Sequence, residues 1–172
     1  MNNSPSPEAF LSVLDAHKGI LYKVARAYGK TEQDRQDLIQ EMTLQLWRSF
    51  PRYDSHYRYS TWIYRIALNV AISSYRKEKH LDSKTEPFSK HILEYVDSKA
   101  GQDNENAEKE EQLAQLYAFL DELRELDRAL MLLYLDQKSH KEMAAIMGLS
   151  ESHVGTKINR IKTALRKKFN QK

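Results

Sequence analysis

The chain contains no cysteine, which excludes disulfides and thiolate metal sites and suits a reducing compartment. Only five glycines and four prolines punctuate its 172 residues. No strand-like alternation persists, and apolar residues recur instead at helical spacing. The longest unbroken apolar run, Ala129–Leu135, falls far short of the ~20 residues a membrane helix requires. The opening "MNNSPSPEAF" lacks the basic-then-apolar order of a leader, so no membrane insertion is expected. Enzyme signatures are missing too: no phosphate-cradling glycine loop, no HExxH and no nucleophilic serine elbow. His17, His56, His80, His91, His140 and His153 are scattered without metal-ligand spacing. The expectation is a protein that is not an enzyme, with no catalytic residue, no metal and no cofactor.

What is present is a helical chain with an uneven charge. Hydrophobic residues make up 41% and charged residues 30%, enough apolar content for a packed fold. Residues 1–80 carry 12 Lys and Arg against 8 Asp and Glu, and residues 139–172 carry 8 against 2. Between them, residues 81–112 carry 4 against 9. Two basic ends flank an acidic middle, so a polyanion could be gripped at two places; solvated helix faces would look the same.

Helix signals divide the chain. Ser6 and Pro7 suit the start of a first helix, with Phe10, Leu14, His17, Leu21, Val24 and Tyr28 on one face and Gly29 at its end. Thr31, with Gln33 or Asp34, caps a second, with Leu38, Met42, Leu46 and Phe50 inward and Pro51 after it. Ser60 is read as the cap of a third. Residues 80–111 are polar and acidic and read as a linker, with "FSKHILEYV" able to form one short helix. A fourth helix spans roughly 107–122. A fifth covers "LDRALMLLYLD", capped by Asp127.

The C-terminal segment "SHKEMAAIMGLSESHVGTKINRIKTALRKKF" combines a capping box (Ser139, Glu142), a turn glycine (Gly148) and a second cap (Ser150). Met143, Ala144 and Met147 should face inward from the first helix, and Val154, Ile158, Ile161 and Leu165 from the second. That is a helix-turn-helix pattern, whose second helix can enter a major groove. Its outer face carries Ser152, His153, Thr156, Lys157, Asn159 and Arg160, followed by Lys162, Arg166, Lys167 and Lys168. Short hydrogen-bonding groups and then cations suit base readout plus phosphate contact.

Two further features lie in the N-terminal half. "DLIQEMTLQLW" puts Asp37, Gln40 and Glu41 on one stripe, opposite Leu38, Met42 and Leu46. "YRYSTWIYRIALN" interleaves Tyr57, Tyr59, Trp62 and Tyr64 with Arg58 and Arg65. Rings that stack on unpaired bases, beside arginines that neutralise phosphate, form a single-strand-binding combination. Tyr57 and Tyr59 are expected to be exposed in the loop, while Trp62 is divided between packing and DNA contact.

"DLIQE", "FPRYD", "RYSTWIYRIALN", a linker and a helix-turn-helix, in this order, resemble a sigma factor of bacterial RNA polymerase, of the compact extracytoplasmic-function (ECF) type. The resemblance covers residues 8–79 and 110–169. It implies an all-α fold of two small helical domains: residues 1–80 for the polymerase clamp and the minus-ten element, a linker over 81–110, and residues 111–172 for the minus-thirty-five element. It assigns Asp37, Gln40 and Glu41 to the polymerase clamp. It assigns the Tyr53–Thr61 loop with Tyr57 and Tyr59, and the following Trp62, Arg65 and Asn69, to the minus-ten strand. Thr156, Asn159 and Arg160 match minus-thirty-five contact positions, beside Ser152, His153 and Lys157. Implied partners are core RNA polymerase, promoter DNA and an anti-sigma protein; the implied location is cytoplasmic, or at the membrane through that anti-sigma protein. Members often carry Lys or Arg where Gly155 stands, and often a glycine before the helix-turn-helix where this chain has "DQKS". Asp136 or Gln137 would then take the unusual backbone position. Competing readings are a helix-turn-helix activator that dimerises or senses a ligand, and a helical enzyme or RNA-binding adaptor.

Overall fold

Local chemistry sets the helix ends. A computed structural model describes residues 5–81 and 104–170; "FSKHILEYV" lies outside the described residues. Helix α1 spans Pro7–Tyr28, with the Ser6 hydroxyl accepting the Ala9 N–H at 3.2 Å. Helix α2 spans Glu32–Ser49 behind a reciprocal capping box of Thr31 and Asp34. A 3-10 turn follows at Phe50–Arg52, then α3 over Tyr59–Leu81. Helix α4 covers Asn104–Glu122, α5 Glu125–Leu135, α6 His140–Met147 and α7 Glu151–Asn170. No strand occurs among the described residues.

Several expected boundaries shift. Tyr59 and Ser60 belong to the first turn of α3, so Ser60 is not its cap. Helix α4 begins within the stretch read as linker. Asp127 sits in the first turn of α5, two residues inside Glu125, and Arg124 at the cap position makes no side-chain cap bond. The turn before the helix-turn-helix uses Gln137 at φ 58°, the one non-glycine with positive φ among the described residues. Amide groups of Asp136, Gln137 and Lys138 bond back to Leu132, Tyr134 and Leu133 and fix that turn. In the next turn Gly148 has φ 68°, where a side chain would be strained. Gly29 is different. Its backbone is extended, and what requires glycine is a close approach: a Cβ would lie 2.8 Å from Arg35 Cγ and 2.9 Å from the Ala25 carbonyl oxygen.

Helices α1, α2 and α3 pack as a three-helix group around Val24, Met42, Leu46, Ile63, Tyr64, Ala67 and Leu68, all essentially inaccessible. Leu120, Leu130, Leu133, Met143, Val154 and Ile158 fill the space between α4, α5, α6 and α7. Ile146 is buried beside Met143, and Ala144 and Met147 are half-buried against the same core, on the inward side expected of them. Full burial of one such side chain stabilises by about 1.5–3 kcal/mol. The two helical groups are both present, and their cores are continuous: α4 and α5 lie against α1, and α5 and α6 against α3.

One buried cation sits at this junction. Arg128 is 2% exposed. Its Nε donates to the Leu120 carbonyl at 2.9 Å and its terminal nitrogens to the carbonyls of Ala27 (2.9 Å), Asp121 (3.0 Å) and Leu123 (3.3 Å). The C-terminal ends of α1 and α4 therefore share one guanidinium, which suits the negative end of each helix dipole. The Tyr28 and Tyr75 rings lie 5.1 and 4.9 Å from it. Burial pushes the neighbouring Asp121 carboxyl up to about 6, against the pull of Arg128.

The glycines supply a stability test of opposite sign. Gly29→Ala should cost about 1–3 kcal/mol through the backbone clash. Gly19 lies exposed within α1 with nothing within 4 Å of a built Cβ. Gly19→Ala should therefore stabilise by up to ~1 kcal/mol. Thermal melts check both, and equal shifts of the same sign would contradict the packing described.

Candidate nucleic-acid and protein interfaces

Three surfaces carry the residues singled out from the sequence. The first is a groove of about 670 Å³ between α2 and α3. Asp34, Asp37, Glu41 and Gln45 line the α2 wall; Asn69, Ser73 and Lys77 line the α3 wall; Leu38, Ile66 and Val70 form the floor. Asp37 accepts from Gln33 at 2.9 Å and Glu41 from Gln45 at 2.9 Å, each pair one helical turn apart. The acidic stripe is solvent-facing, as its spacing predicts, and Gln40 is exposed beside it. Sequence order does not reveal that Asn69 faces the same groove as Asp37 and Glu41.

The second surface is the loop before α3. Asp54 accepts the His56 backbone N–H at 3.0 Å and pairs with its ring at 2.7 Å. The backbone hydrogen bond, followed by the ring contact, holds the Asp54 carboxyl below its ordinary value. This turns the chain so that Tyr57 projects outward, 42% exposed. The Arg65 guanidinium lies 5.9 Å from the Tyr57 ring, on the exposed side of α3. Tyr59 departs from expectation. It stacks on Tyr53 at 4.4 Å and 18°, half-buried against the core. Trp62 is also half-buried, edge-on to Tyr53 at 5.3 Å and beside Phe50 at 6.0 Å. Phe50 and Trp47 both pack against Phe10. The rings thus divide into a packed platform and one free ring, Tyr57, beside an arginine.

The third surface is the outer face of α7. Ser150 accepts the His153 N–H at 3.1 Å and starts the helix. Ser152, His153, Thr156, Asn159 and Arg160 are exposed. Thr156, Asn159, Arg160, Thr163, Ala164 and Lys167 line one shallow concavity of about 500 Å³. The Thr156 and Thr163 hydroxyls donate to the carbonyls one turn back, which leaves their lone pairs and methyl groups outward.

Lys157 is the exception on this helix. It is half-buried and pairs with Asp127 of α5 at 3.3 Å, so it faces the other helix and not the outer surface. Three residues on from buried Val154 and four before buried Ile161, it flanks the inner stripe. That offset is a signal the sequence contains. Gly155 lies against α6, where a Cβ would make ordinary contact with the His140 ring at 3.5 Å; no steric demand for glycine exists there.

Thr163 is a concavity residue that sequence reasoning missed. Arg128 was missed as well, because a cation within an apolar run gives no sign of which carbonyls it will meet. Among the described residues no group of three His, Asp or Glu is arranged to hold a metal. None of the described helices is long and apolar enough to cross a membrane.

Comparisons with known proteins bear on both halves. A family model described as sigma-70 region 2 matches residues 13–81, and one described as sigma-70, region 4 matches residues 113–165. The chain is 27% identical over 170 residues to the ECF RNA polymerase sigma factor SigW of Bacillus subtilis (strain 168), covering 94% of this chain and 89% of that one. Its fold is similar to that of CnrH solved in complex with the cytosolic domain of CnrY, with a TM-score of 0.70 and 22% identity, covering 98% of this chain and 92% of CnrH. It is also similar to the sigma factor RpoE from Bartonella quintana solved with the anti-sigma factor NepR, with a TM-score of 0.62 and 18% identity over 93% of each chain.

The aromatic arrangement predicts a split response to truncation. Tyr57→Ala should leave the melting temperature nearly unchanged, because Tyr57 is exposed and its ring lies outside the stacked aromatic platform. Tyr59→Ala should cost about 1–3 kcal/mol through the lost stack and the gap left beside it. A melt in which Tyr57→Ala is the more damaging of the two would contradict this assignment.

Proposed function

Because the chain belongs to the sigma factors of RNA polymerase, of the ECF type, we propose that its three surfaces divide the work of transcription initiation among named residues. As a sigma factor it binds core RNA polymerase, recognises minus-ten and minus-thirty-five promoter elements, and directs initiation. Residues 1–80 form the half that docks on polymerase and takes the minus-ten strand, and residues 111–172 the half that reads the minus-thirty-five duplex. The stretch 81–110 joins them, α4 beginning inside it. Bond-making belongs to the polymerase; this chain positions, opens and selects.

On the polymerase side, Asp37, Gln40 and Glu41 present carboxylates and an amide to a partner surface on the polymerase clamp. Their exposure on a rigid capped helix supports this role. Asn69 across the groove suits minus-ten base contact, since an amide can pair with a base edge whereas a ring only stacks.

The pairing of Tyr57 with Arg65 is the observation that carries strand capture. One exposed ring can receive an unstacked base, a contact worth about 1–3 kcal/mol, while the adjacent guanidinium neutralises phosphate. Tyr59 and Trp62 act beneath it as the packed platform that fixes its position.

In the duplex, Asn159 and Arg160 supply donors for base edges, and Ser152, His153 and Thr156 sit earlier on the same face. Thr163 and Lys167 continue it toward the phosphates. Lys157, held by Asp127, is not part of this contact set. The structural relative solved with the anti-sigma factor NepR supports a similar partner for this chain, which would keep it beside polymerase in the cytoplasm or at the membrane through that partner.

Asp37→Lys and Glu41→Lys should keep the fold and lose core binding, as loss of a partner in a desolvated charge pair costs about 2–5 kcal/mol. Folded mutants with wild-type affinity for core would refute the docking assignment. Arg160→Ala should change base preference in the minus-thirty-five element by about 1–3 kcal/mol. Lys167→Ala should weaken all sequences evenly and lower the salt slope by ~1. Indistinguishable effects of the two across a promoter set would remove Arg160 from base readout.

A further inference from the structure

The concavity on α7 has two kinds of wall, and the base readout assigned above uses one of them. Asn159 and Arg160 form the polar wall. Thr156, Thr163 and Ala164 bring methyl groups to the other, with Lys167 at the C-terminal end. Thr163 and Ala164 are exposed, on a helix fixed from behind by buried Ile158 and Ile161. Thr163 follows Arg160 by three residues and so lies ~4.5 Å further along the helix axis. A base pair occupies ~3.4 Å of duplex, so Thr163 reaches about one or two base pairs past the pair that Arg160 contacts.

What Thr163 can offer a base is narrowed by its own hydrogen bond. Its hydroxyl donates to the Asn159 carbonyl at 2.9 Å, and a hydroxyl has one proton to give. A phosphate presents acceptors only, so phosphate contact at this end falls to Lys167. The major-groove edge of guanine also presents acceptors only, and it too finds no donor at Thr163. What remains is a methyl group and a lone pair. Ala164, next in the chain, adds a second methyl and no polar side-chain atom. A notch of this kind suits the one apolar group that the major groove displays, the C5-methyl of thymine.

We propose that Thr163, with Ala164 beside it, determines specificity by reading the C5-methyl group of one thymine in the minus-thirty-five element, about one or two base pairs from the pair contacted by Arg160. The proposal rests on the assignment of α7 to that duplex. Asn159 and Arg160 select by hydrogen bonds, whereas Thr163 selects by apolar contact. Burying one methyl between protein and base favours thymine by about three- to fivefold over the same base without it.

Uracil tests this on the holoenzyme, because it differs from thymine only in lacking that methyl. Core polymerase and the full chain are offered promoter duplexes randomised over the minus-thirty-five element, with thymine in one library and uracil in its place in the other. In the thymine library, sequencing of the bound duplexes should show a preference for thymine of about three- to fivefold at one position. That position should lie within about two base pairs of the one whose preference changes in Arg160→Ala. In the uracil library the preference should be gone. Thr163→Ser keeps the hydroxyl and removes the methyl, and should lose the preference. Thr163→Val removes the hydroxyl and keeps methyl groups, and should retain it. Both variants should melt close to the wild type, since position 163 is exposed. The same base preferences from both libraries with the wild-type chain would overturn the proposal without recourse to any variant. So would a preference that survives Thr163→Ser or vanishes in Thr163→Val. A wild-type holoenzyme that selects no sequence from either library would overturn the assignment of α7 to the duplex, and the methyl contact with it. That result is read before thymine and uracil are compared, so the two failures are distinct.

Discussion

The Arg128 guanidinium holds the meeting point of the two helical groups. A cation at 2% exposure is tolerated only where its donors are satisfied, and here two helix ends supply what it needs. Helices α1 and α4 both finish with carbonyls that point toward the same space and accept from it. Tyr28 and Tyr75 close over it from the N-terminal half. Around this arrangement the α1–α3 group meets the α4–α7 group.

From that junction outward, burial separates framework from function. Tyr64, Ile63 and Leu68 fix one side of α3 in the core, so the other side must present Arg65 and Asn69. Val154, Ile158 and Ile161 do the same for α7 and leave Asn159 and Arg160 exposed. A recognition surface needs this arrangement: rigid backbone behind, mobile polar groups in front. The same argument explains why the aromatic segment is mixed. Phe50, Tyr53, Tyr59 and Trp62 interlock as a base, and only above such a base does a single exposed ring at Tyr57 hold a defined place. Asp136 adds to the junction in another way. Its burial opposes ionisation, but hydrogen bonds from Lys23 and Tyr64 outweigh that and hold its carboxyl below the ordinary range. The charge that ties the halves together is therefore maintained near neutral pH.

Most of the helical frame was legible because its signals are local. Ser6, Thr31, Ser139 and Ser150 each cap through a hydroxyl and an amide three residues on, which a linear reading detects. Gly148 was legible for the same reason; the unusual backbone position before the helix-turn-helix was narrowed to Asp136 or Gln137 through the family resemblance, and it falls on Gln137. The misplacements depend on contacts between distant segments. Tyr59 looks like a loop residue until Tyr53 stacks on it. Lys157 looks like a DNA-facing cation until Asp127, on another helix, turns it inward. Arg128 carries no local signal at all: its partners lie on α1, α4 and the turn after α4. The acidic stripe was legible as a stripe, but its shared groove with Asn69 required the packing of α2 on α3.

The central claim is that this chain gives polymerase its choice of promoter through two separated elements. Transcription of fragmented genomic DNA by core polymerase, with and without the chain, tests it most directly when the 5′ ends of the transcripts are mapped. The account predicts new, discrete start sites that appear only with the chain, preceded by two short shared sequences whose centres lie ~25 base pairs, or about 85 Å, apart. Start sites identical to those of core polymerase alone, or new ones that share no upstream element, would contradict it.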